Sequence, residues 1–542
     1  MSKALITITD LGVSYRTDDD SPAAVRHENL VLREHETLAI VGESGSGKTT
    51  IANAILGLLP DDARVTGSIS LGNVELTALR RGEWPTIRGR RIGYVPQDPM
   101  LSLNEVWSIG HHFKETIDAH KLGDGKPWRE FATERLLEVG LSDPERILRQ
   151  FPHQLSGGMR QRVLIALAVL ARPEVIIADE PTSALDVIIQ KHVLDLLERL
   201  TRQLGASLVL ITHDLGLVAD RSDSVVVMRH GEIVETGPTR NIIGNPQHPY
   251  TQELLHAVPK LSSIESRVLP DLSDAPAVLE IKGLVKEFKL KYPRAATPGT
   301  KPSRILRAVN GVDLTLRSGE CLALVGESGS GKSTVAKIIL GLEKPTSGSV
   351  LLHGRDRESG TRAERVAQTA RIQVVFQDPY ASLDPQFTVS RTLNEPLVIH
   401  VRGDASERRD RVVKLLGLVG LDESILNRYP SELSGGQRQR VAIARALALE
   451  PDVLVLDEAV SALDVVVQGQ ILETLRELRS RIGLSMLFIT HDLAVVAEIA
   501  DTIAVITNGE IVESGDAASV FASPEHEYTK ELLDAVPGRS AF

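Results

Sequence analysis

Short apolar runs alternate with amphipathic segments in both halves of the chain. The runs have the length of buried strands and lie at residues 38–41, 175–178, 207–211, 322–325, 453–456 and 486–489. Segments 50–59 and 334–342 carry apolar residues at spacings of three and four, which predicts a helix after the first strand run of each half. This alternation predicts an α/β fold with a parallel sheet covered by helices on both faces.

Two other patterns recur in each half. Residues 5–13 and 278–284 alternate between apolar and polar side chains, which predicts extended strands near the start of each half. Residues 98–170 and 378–449 are mostly helical in pattern. We therefore expect each half to carry a helical lobe separate from its sheet.

The second half of the chain is a copy of the first. The octapeptide Gly-Glu-Ser-Gly-Ser-Gly-Lys-Thr at 42–49 recurs at 326–333 with a final serine, an offset of 284. Four later motifs recur at a constant offset of 278, which indicates a duplicated domain. We predict a first domain at 1–258 and a second at 277–542. Residues 259–276, with little apolar periodicity, are predicted to be a linker, and 292–303 an insertion absent from the first half.

Composition limits the kind of protein. The 542 residues include 61 basic and 72 acidic side chains, and a net charge of −11 argues against nucleic acid as the main partner. The single cysteine, Cys321, excludes an intrachain disulfide and fits a reducing compartment. The longest wholly apolar run, 163–171, is far shorter than the roughly 20 residues that span a bilayer. We expect a cytoplasmic protein whose membrane role must come from a partner.

The repeated octapeptide has the pattern of a phosphate-binding loop, Gly-x-x-x-x-Gly-Lys-[Ser/Thr], between a strand and a helix. Its glycines let backbone N–H groups converge on anionic oxygens, its lysine reaches the β and γ phosphates, and its hydroxyl binds Mg²⁺. Two such matches in equivalent contexts predict nucleotide binding. The predicted residues are Gly42, Ser44, Gly45, Gly47, Lys48, Thr49 and Thr50, and Gly326, Ser328, Gly329, Gly331, Lys332, Ser333 and Thr334.

A pair of carboxylates follows one buried strand in each half. Asp179 and Asp457 stand at the C-terminal edge of their strands, where an aspartate beside a phosphate loop suits Mg²⁺. Glu180 and Glu458 come next and are predicted to polarise an attacking water. An Asp-Glu pair alone is more often a solvated strand end, but the phosphate loop upstream favours the catalytic interpretation.

Two more motifs recur with the carboxylates. His213 and His491 follow strands, where a hydrogen bond to the γ-phosphate is expected. Each half also has a Leu-Ser-Gly-Gly sequence opening a helix, with a serine cap and glycines that we expect to be exposed to an anion. These residues are Ser156, Gly157 and Gly158, and Ser434, Gly435 and Gly436. A capped helix needs no phosphate, so the combination of motifs carries the prediction.

Together these motifs resemble the ATP-binding subunits of ABC transporters over nearly the whole chain. The glutamine loop of that family is matched by Gln97 and Gln377, and its aspartate loop by 183–186 and 461–464. Tyr15 and Phe288 occupy the positions where the family stacks an aromatic ring on adenine. The resemblance implies two tandem P-loop domains, each with a mixed sheet core, an antiparallel β subdomain and a helical lobe. It implies Mg²⁺ binding by Thr49, Gln97 and Asp179, and by Ser333, Gln377 and Asp457, with the glutamines also catalytic.

Within that family the chain is most similar to the dipeptide and oligopeptide importer group, with both ATPases fused. The likeness includes the tails at 248–255 and 526–533, which share the sequence Tyr-Thr-x-Glu-Leu-Leu. It implies ATP hydrolysis at two composite sites, each joining the phosphate loop of one half to the Ser-Gly-Gly motif of the other. Partners would be two permease subunits and, through them, a solute-binding protein, with the chain peripheral at the cytoplasmic face of the membrane.

Other classes fit less well. A tandem ATPase acting on the ribosome would be expected to have a long, charged helical linker, and a P-loop GTPase an Asn-Lys-x-Asp motif, but the chain has neither. Tandem sugar-importer ATPases commonly have a degenerate second half. Here the departures are few: Ala459-Val460 in place of Pro-Thr, and Met159 in place of glutamine. The cysteine-rich segment of some relatives is missing, so no iron–sulfur cofactor is expected. The cargo stays open among dipeptides, oligopeptides, glutathione, nickel and opines.

Overall fold

A computed structural model describes residues 3–15, 23–123, 125–183, 185–267, 269–270, 272, 274–289, 304–461 and 463–539. The chain forms two compact units, Met1–Val258 with Pro537–Ala541, and Pro259–Val536. The predicted insertion at 292–303 lies outside the described residues. Within the described part of the chain, every helix is too short or too polar to cross a membrane.

The first unit contains ten strands and ten α-helices among its described residues. Its strands are β1 (Ala4–Ser14), β2 (Val25–Arg33), β3 (Thr37–Val41), β4 (Arg64–Leu71), β5 (Val74–Glu75), β6 (Ile92–Val95), β7 (Val175–Asp179), β8 (Ser207–Ile211), β9 (Ser224–Arg229) and β10 (Glu232–Pro238). Its helices are α1 (Lys48–Leu56), α2 (Pro99–Ser102), α3 (Ile109–His120), α4 (Trp128–Glu138), α5 (Pro144–Arg149), α6 (Gly157–Ala168), α7 (Val187–Leu204), α8 (Leu215–Arg221), α9 (Thr239–Gly244) and α10 (Pro249–Ala257).

The strands of the first unit form two sheets. The larger has the order β10-β9-β3-β8-β7-β6 and is parallel except for β10, which runs antiparallel to β9. The smaller is antiparallel, in the order β2-β1-β4-β5. The mixed sheet core and the antiparallel subdomain that the family resemblance implied are therefore confirmed, and β10 is the antiparallel edge that makes the large sheet mixed. The two-residue turn His230-Gly231, with φ of 50° and 84°, reverses the chain and makes β10 antiparallel.

The second unit repeats this arrangement. Its elements, in chain order, are α11 (Ser263–Ser266), β11 (Ala277–Lys289), β12 (Ile305–Arg317), β13 (Cys321–Val325), α12 (Lys332–Ile339), β14 (Ser347–Leu352), β15 (Arg355–Asp356), α13 (Arg362–Arg371), β16 (Ile372–Val375), α14 (Pro379–Ser382), α15 (Val389–Ile399), α16 (Ala405–Leu418), α17 (Gly435–Leu447), β17 (Val453–Asp457), α18 (Val465–Ile482), β18 (Ser485–Thr490), α19 (Leu493–Ile499), β19 (Thr502–Thr507), β20 (Glu510–Asp516), α20 (Ala517–Ala522) and α21 (Glu527–Asp534). The sheet orders are β16-β17-β18-β13-β19-β20 and β12-β11-β14-β15.

The core lies on both faces of each large sheet. Every residue of β7 and β8 is buried, as expected for central parallel strands. The predicted helical lobe is present between β6 and β7, and its buried residues Phe113, Leu136 and Val163 belong to a hydrophobic cluster that continues into β7 and β8. The same region of the second unit, between β16 and β17, carries α14 to α17.

The helix after each phosphate loop begins earlier than the apolar pattern indicated. Helix α1 begins at Lys48 rather than Thr50, because Gly47 adopts a left-handed conformation and turns the loop directly into the helix. It ends before Gly57, whose left-handed backbone lets its N–H bond to the carbonyl of Ala54. The loop and the helix are therefore one continuous element.

Described residues of the segment predicted to be a linker pack within the second unit. Ile264, on the short helix α11, is 5% exposed, and α11 contacts α19 and α20. The Arg267 guanidinium lies 3.5 Å from the buried Asp501 carboxylate. It also donates hydrogen bonds of 2.9 to 3.1 Å to three carbonyl oxygens at the end of α19, those of Ala497, Ile499 and Ala500.

Candidate functional site

Each phosphate loop holds its lysine with its own backbone. Lys48 is 6% exposed, and its Nζ donates to the carbonyl oxygens of Gly42 at 2.7 Å and Glu43 at 2.8 Å. The bonds of Lys332 are the same, at 2.6 Å to Gly326 and 2.8 Å to Glu327. Carbonyl oxygens carry only partial charge, so the formal positive charge of each ammonium group can serve an anionic ligand.

Glycine is required where the loop becomes a helix. Gly47 has φ of 102°, and a Cβ there would lie 2.5 Å from the carbonyl oxygen of Ala24. Gly331 has φ of 112°, with the carbonyl oxygen of Ala308 at the same distance. Both the dihedral angle and the close approach of backbone exclude a side chain.

A buried aspartate faces the hydroxyl of the first loop. The Thr49 hydroxyl donates to Asp179 Oδ1 at 3.4 Å, and Asp179 is 1% exposed. Burial and the neighbouring Glu180 charge raise the pKa of Asp179, against the opposing effects of the Thr49 hydrogen bond and Lys48. A hydroxyl and a carboxylate are the hard oxygen donors that Mg²⁺ prefers. A bound cation would also compensate the negative charge of the buried Asp179 carboxylate. These residues therefore fit a magnesium ion.

The predicted glutamine, glutamate and histidine meet in both units. Gln97 Nε2 donates to Glu180 Oε2 at 2.8 Å, and His213 Nδ1 lies 3.2 Å from Glu180 Oε1. In the second unit the corresponding distances are 2.8 Å from Gln377 to Glu458 and 3.4 Å from His491 to Glu458. The two oxygens of each glutamate thus have fixed and different partners.

The surroundings of each glutamate favour its ionised form. Burial opposes ionisation of Glu180, but the His213 hydrogen bond, with the charges of His213 and Lys48 and the Gln97 bond, outweighs it and lowers the pKa. The same hydrogen bond raises the pKa of His213. The pKa of Glu458 is likewise lowered, mainly by the His491 hydrogen bond. Each site therefore presents a carboxylate paired with an imidazole that holds a proton more readily than usual.

The backbone of both glutamates is strained. Glu180 has φ of 44° and Glu458 has φ of 49°, in the left-handed region that side chains other than glycine rarely adopt. The backbone N–H of Glu180 donates to the carbonyl oxygen of Ile211, on the neighbouring strand, at 2.9 Å. The N–H of Glu458 donates to the carbonyl oxygen of Ile489 at the same distance. Such strain persists where the surrounding structure fixes it and is common at active sites. No local sequence pattern indicates this strain.

The two aromatic residues predicted near adenine differ in their contacts. The Tyr15 hydroxyl lies 3.1 Å from the Thr50 hydroxyl, and the side chain is 39% exposed. Phe288 has no hydroxyl, and Lys286 Nζ lies 5.0 Å from its ring centroid. Tyr15 is therefore tied to the first turn of α1, whereas the ring of Phe288 contacts a cation from its own strand.

The Ser-Gly-Gly motifs open α6 and α17 as predicted. Ser156 Oγ accepts the N–H of Met159 at 3.3 Å, and Ser434 Oγ accepts the N–H of Gln437 at 3.2 Å. The side-chain Oε1 of Gln437 also accepts the N–H of Ser434 at 3.0 Å, which closes a capping box that Met159 cannot form.

The expectation that both glycines of each motif are exposed is wrong for the second one. Gly158 is buried, and a Cβ there would lie 2.7 Å from Cγ2 of Ile189 on α7. Gly436 is also buried, and a Cβ there would lie 2.6 Å from Cγ1 of Val467 on α18. Close helix packing therefore requires these glycines. Ala184 and Ala462, in the predicted aspartate loops, lie outside the described residues.

Comparison with known families agrees with this geometry. The ABC transporter family model matches residues 25–183 and 309–461, and the model of the oligopeptide/dipeptide transporter C-terminal region matches 234–283 and 512–540. The chain belongs to the ABC transporter family and is an ATPase of that type. The resemblance drawn from its motifs is thereby confirmed, and the ribosome-acting alternative is not supported.

The similarity to individual relatives extends along the whole chain. The oligopeptide transport ATP-binding protein OppD of Mycobacterium bovis is 40% identical over 98% of both chains. The glutathione import ATP-binding protein GsiA of Salmonella typhimurium is 42% identical over 99% of this chain and 90% of its own.

Among solved structures, the ATP-binding cassette MJ0796 bound to ADP and Pi is 32% identical over 44% of this chain and 98% of its own, with a TM-score of 0.39.

Proposed function

We propose that this chain hydrolyses ATP with Mg²⁺ at two sites and drives the import of a dipeptide or oligopeptide through separate permease subunits. The observation that carries the proposal is the duplicated cluster of glutamine, glutamate and histidine, complete in both units. The peptide class of cargo is supported by the match to the oligopeptide/dipeptide transporter region. The likeness to a glutathione importer agrees with it, since glutathione is a small peptide.

The chain's own residues divide the chemistry among them. In the first unit Thr49, Asp179 and Gln97 would hold Mg²⁺, which when bound neutralises phosphate charge and orients the γ-phosphate. Ser333, Asp457 and Gln377 would do so in the second. Lys48 and Lys332 exchange their loop carbonyls for phosphate oxygens, and Ser44, Gly45 and Thr50 with their counterparts line the loops. The ionised carboxylate of Glu180 or Glu458 accepts a hydrogen bond from the attacking water, while its histidine and glutamine keep it oriented.

Replacing both glutamates tests this assignment. Glu180→Gln with Glu458→Gln should still bind ATP but lose about 10²-fold or more in turnover, because the group that accepts the water proton is removed. Glu253→Gln with Glu531→Gln makes the same charge change at exposed, equivalent positions and should turn over normally. Steady-state phosphate release and equilibrium binding of a fluorescent ATP analogue separate the two effects. Normal turnover in the first double variant would refute the assignment.

We also propose that each ATP is completed by the Ser-Gly-Gly motif of the opposite domain, so that Lys48 works with Ser434 and Lys332 with Ser156. A capped helix N-terminus suits the γ-phosphate, and Ser156 and Ser434 are both exposed in their own units. Ser156→Arg should abolish photolabelling by an ATP analogue at the second loop and spare the first. Loss at the first loop with label kept at the second would contradict the pairing.

The partners proposed are two permease subunits that bind the helical lobes near Gln97 and Gln377, with a solute-binding protein acting through them. Two large apolar side chains that follow Gln97 in the sequence are exposed, Leu101 at 87% and Val106 at 78%. Exposed apolar surface of this kind suits a protein contact. Such docking would place the chain on the cytoplasmic face of the membrane without inserting it.

Sedimentation with membranes tests the docking. The chain should sediment with membranes only when the permease subunits are co-expressed. Leu101→Glu with Val106→Glu should abolish this and leave ATP hydrolysis by the purified chain intact. Leu137→Glu, at another exposed position of the same lobe, is the matched control. Membrane binding without permease, or co-purification with ribosomes, would contradict the proposal.

A further inference from the structure

In both units a tyrosine from the C-terminal region touches the phosphate loop. The Tyr250 hydroxyl oxygen accepts the backbone N–H of Glu43 at 3.2 Å, across 207 residues of sequence. The Tyr528 hydroxyl oxygen accepts the N–H of Glu327 at 2.9 Å, across 201 residues. Glu43 and Glu327 are the second residues of the two phosphate loops. The contact is therefore a repeated feature of the fold.

The surrounding residues fix the direction of each tyrosine. His248 caps α10, and its Nδ1 accepts the N–H of Tyr250 at 3.2 Å. Glu235, on the edge strand β10, accepts the N–H groups of Gln247 at 2.8 Å and His248 at 3.1 Å. The second unit uses the same bonds, from Tyr528 to His526 and from Glu525 and His526 to Glu513. The edge strand of the large sheet thus anchors the turn that carries the tyrosine.

The tyrosine holds a peptide that the lysine also holds. The N–H of Glu43 bonds to Tyr250, and the carbonyl oxygen of Gly42, in the same peptide group, accepts a hydrogen bond from Lys48 Nζ at 2.7 Å. A phosphate that draws Lys48 away would break the carbonyl bond but would not touch the tyrosine bond. Tyr250 is 1% exposed, so water has little access to replace it. The entry to the loop therefore keeps its position while the lysine changes partners.

We propose that Tyr250 and Tyr528 are positioning residues for ATP, each fixing the start of its phosphate loop so that the loop N–H groups stay directed at the phosphates. The proposal rests on the ATP-binding function proposed above. It assigns a role to the regions 234–283 and 512–540, which match the oligopeptide/dipeptide transporter model and lie outside the matches to the ABC transporter model. Each region would then contribute a residue that supports the nucleotide-binding site of its own unit.

Removing one hydroxyl from each tyrosine tests the proposal. Tyr250→Phe keeps the ring and leaves the Glu43 N–H without its acceptor, so ATP affinity at the first loop should fall about fivefold to tenfold. The second loop should be unaffected, and Tyr528→Phe should give the reverse pattern. Turnover at saturating ATP should stay within about twofold, because the carboxylate cluster is intact and the lost interaction acts on binding.

The measurement must resolve the two loops. Full-length protein is titrated with a photoreactive ATP analogue, and the labelled peptides containing 42–49 and 326–333 are quantified separately. Thr201→Val is the matched control, since it removes a buried hydroxyl that bonds to the Leu197 carbonyl at 2.8 Å and does not touch a loop. Melting temperatures of all variants show whether each is folded. If Tyr250→Phe does not fold, the half-buried Tyr528 supplies the test.

The outcomes are distinct. Weaker labelling confined to the loop of the altered tyrosine supports the proposal. Wild-type half-saturation at both loops overturns it, and so does equal weakening of both loops by either single variant, which would indicate a general loss of stability. A wild-type chain that neither binds nor hydrolyses ATP would overturn the proposed function as well. Failure of the variants alone leaves that function standing.

Discussion

Arg267→Ala tests whether the segment between the domains is part of the second domain's fold. The substitution removes three hydrogen bonds to carbonyl oxygens at the end of α19. It leaves Asp501 with two other partners, Arg479 at 3.0 Å and the N–H of Cys321 at 2.9 Å. The buried Asp501 carboxylate therefore keeps a charged partner and a hydrogen-bond donor. The substitution mainly removes the hydrogen bonds to the carbonyl oxygens at the end of α19.

The expected loss follows from these bonds. The Arg267 side chain is 22% exposed, so each of the three bonds is assigned about 0.7 to 1 kcal/mol, which is typical of an ordinary hydrogen bond and below the range for a charged donor, giving a total of about 2 to 3 kcal/mol. In a unit of this size, 1 kcal/mol corresponds to about 2 to 4 °C in melting temperature. Arg267→Ala should thus lower the melting temperature of the second unit by about 4 to 12 °C.

Calorimetry and hydrogen exchange measure this effect. The amides of α19 should exchange faster in Arg267→Ala, because the carbonyls at its end lose their partners. Glu265→Ala, at an exposed position on the neighbouring helix α11, should change neither quantity. A melting temperature within about 1 °C of the wild type, with unchanged exchange in α19, would show that the segment does not stabilise the unit.

Two further predictions concern local backbone and caps. Gly57→Ala should destabilise the first unit by about 2 to 4 kcal/mol, since its Cβ would lie 2.2 Å from the Trp84 ring at φ of 60°. Gly283→Ala, at φ of 55° in open space, should cost only about 1 kcal/mol, and equal losses on urea unfolding would contradict this reasoning. Met159→Gln should stabilise α6 by about 0.5 to 1 kcal/mol by completing the capping box that Gln437 forms in α17. A melting temperature that does not rise would show that the added bond is offset elsewhere.

The cluster of site residues was predictable because neighbouring parallel strands end at the same edge of a sheet. Asp179 ends β7 and Glu180 follows it, His213 follows β8, and the two strands are adjacent. Short sequence motifs at strand ends therefore come together whatever the distance between them along the chain. The phosphate loops were predictable for a different reason, because the whole motif is contiguous.

The remaining features depend on information that local patterns do not carry. An amphipathic strand pattern is the same for either direction, so the antiparallel course of β10 does not follow from the apolar pattern, and the mixed sheet was expected only from the family resemblance. Asn508-Gly509 is a hairpin signal for the matching edge of the second unit, whereas His230-Gly231 gives none. The contact of Tyr250 with Glu43 joins two distant segments and depends on the finished fold. Helix α11 has only four residues, too few for a periodic pattern.

At Glu180 and Glu458 the left-handed backbone lowers the stability of the fold, while the side chain at the same position is the one proposed to act in catalysis. Glycine there would relieve about 1 to 2 kcal/mol of strain and yield a more robust protein, yet it would remove the carboxylate proposed to activate water. A library of variants ranked by heat resistance alone should therefore accumulate inactive chains altered at these two positions. Directed evolution of a more thermostable transporter ATPase would therefore need to select for ATP turnover from its first round.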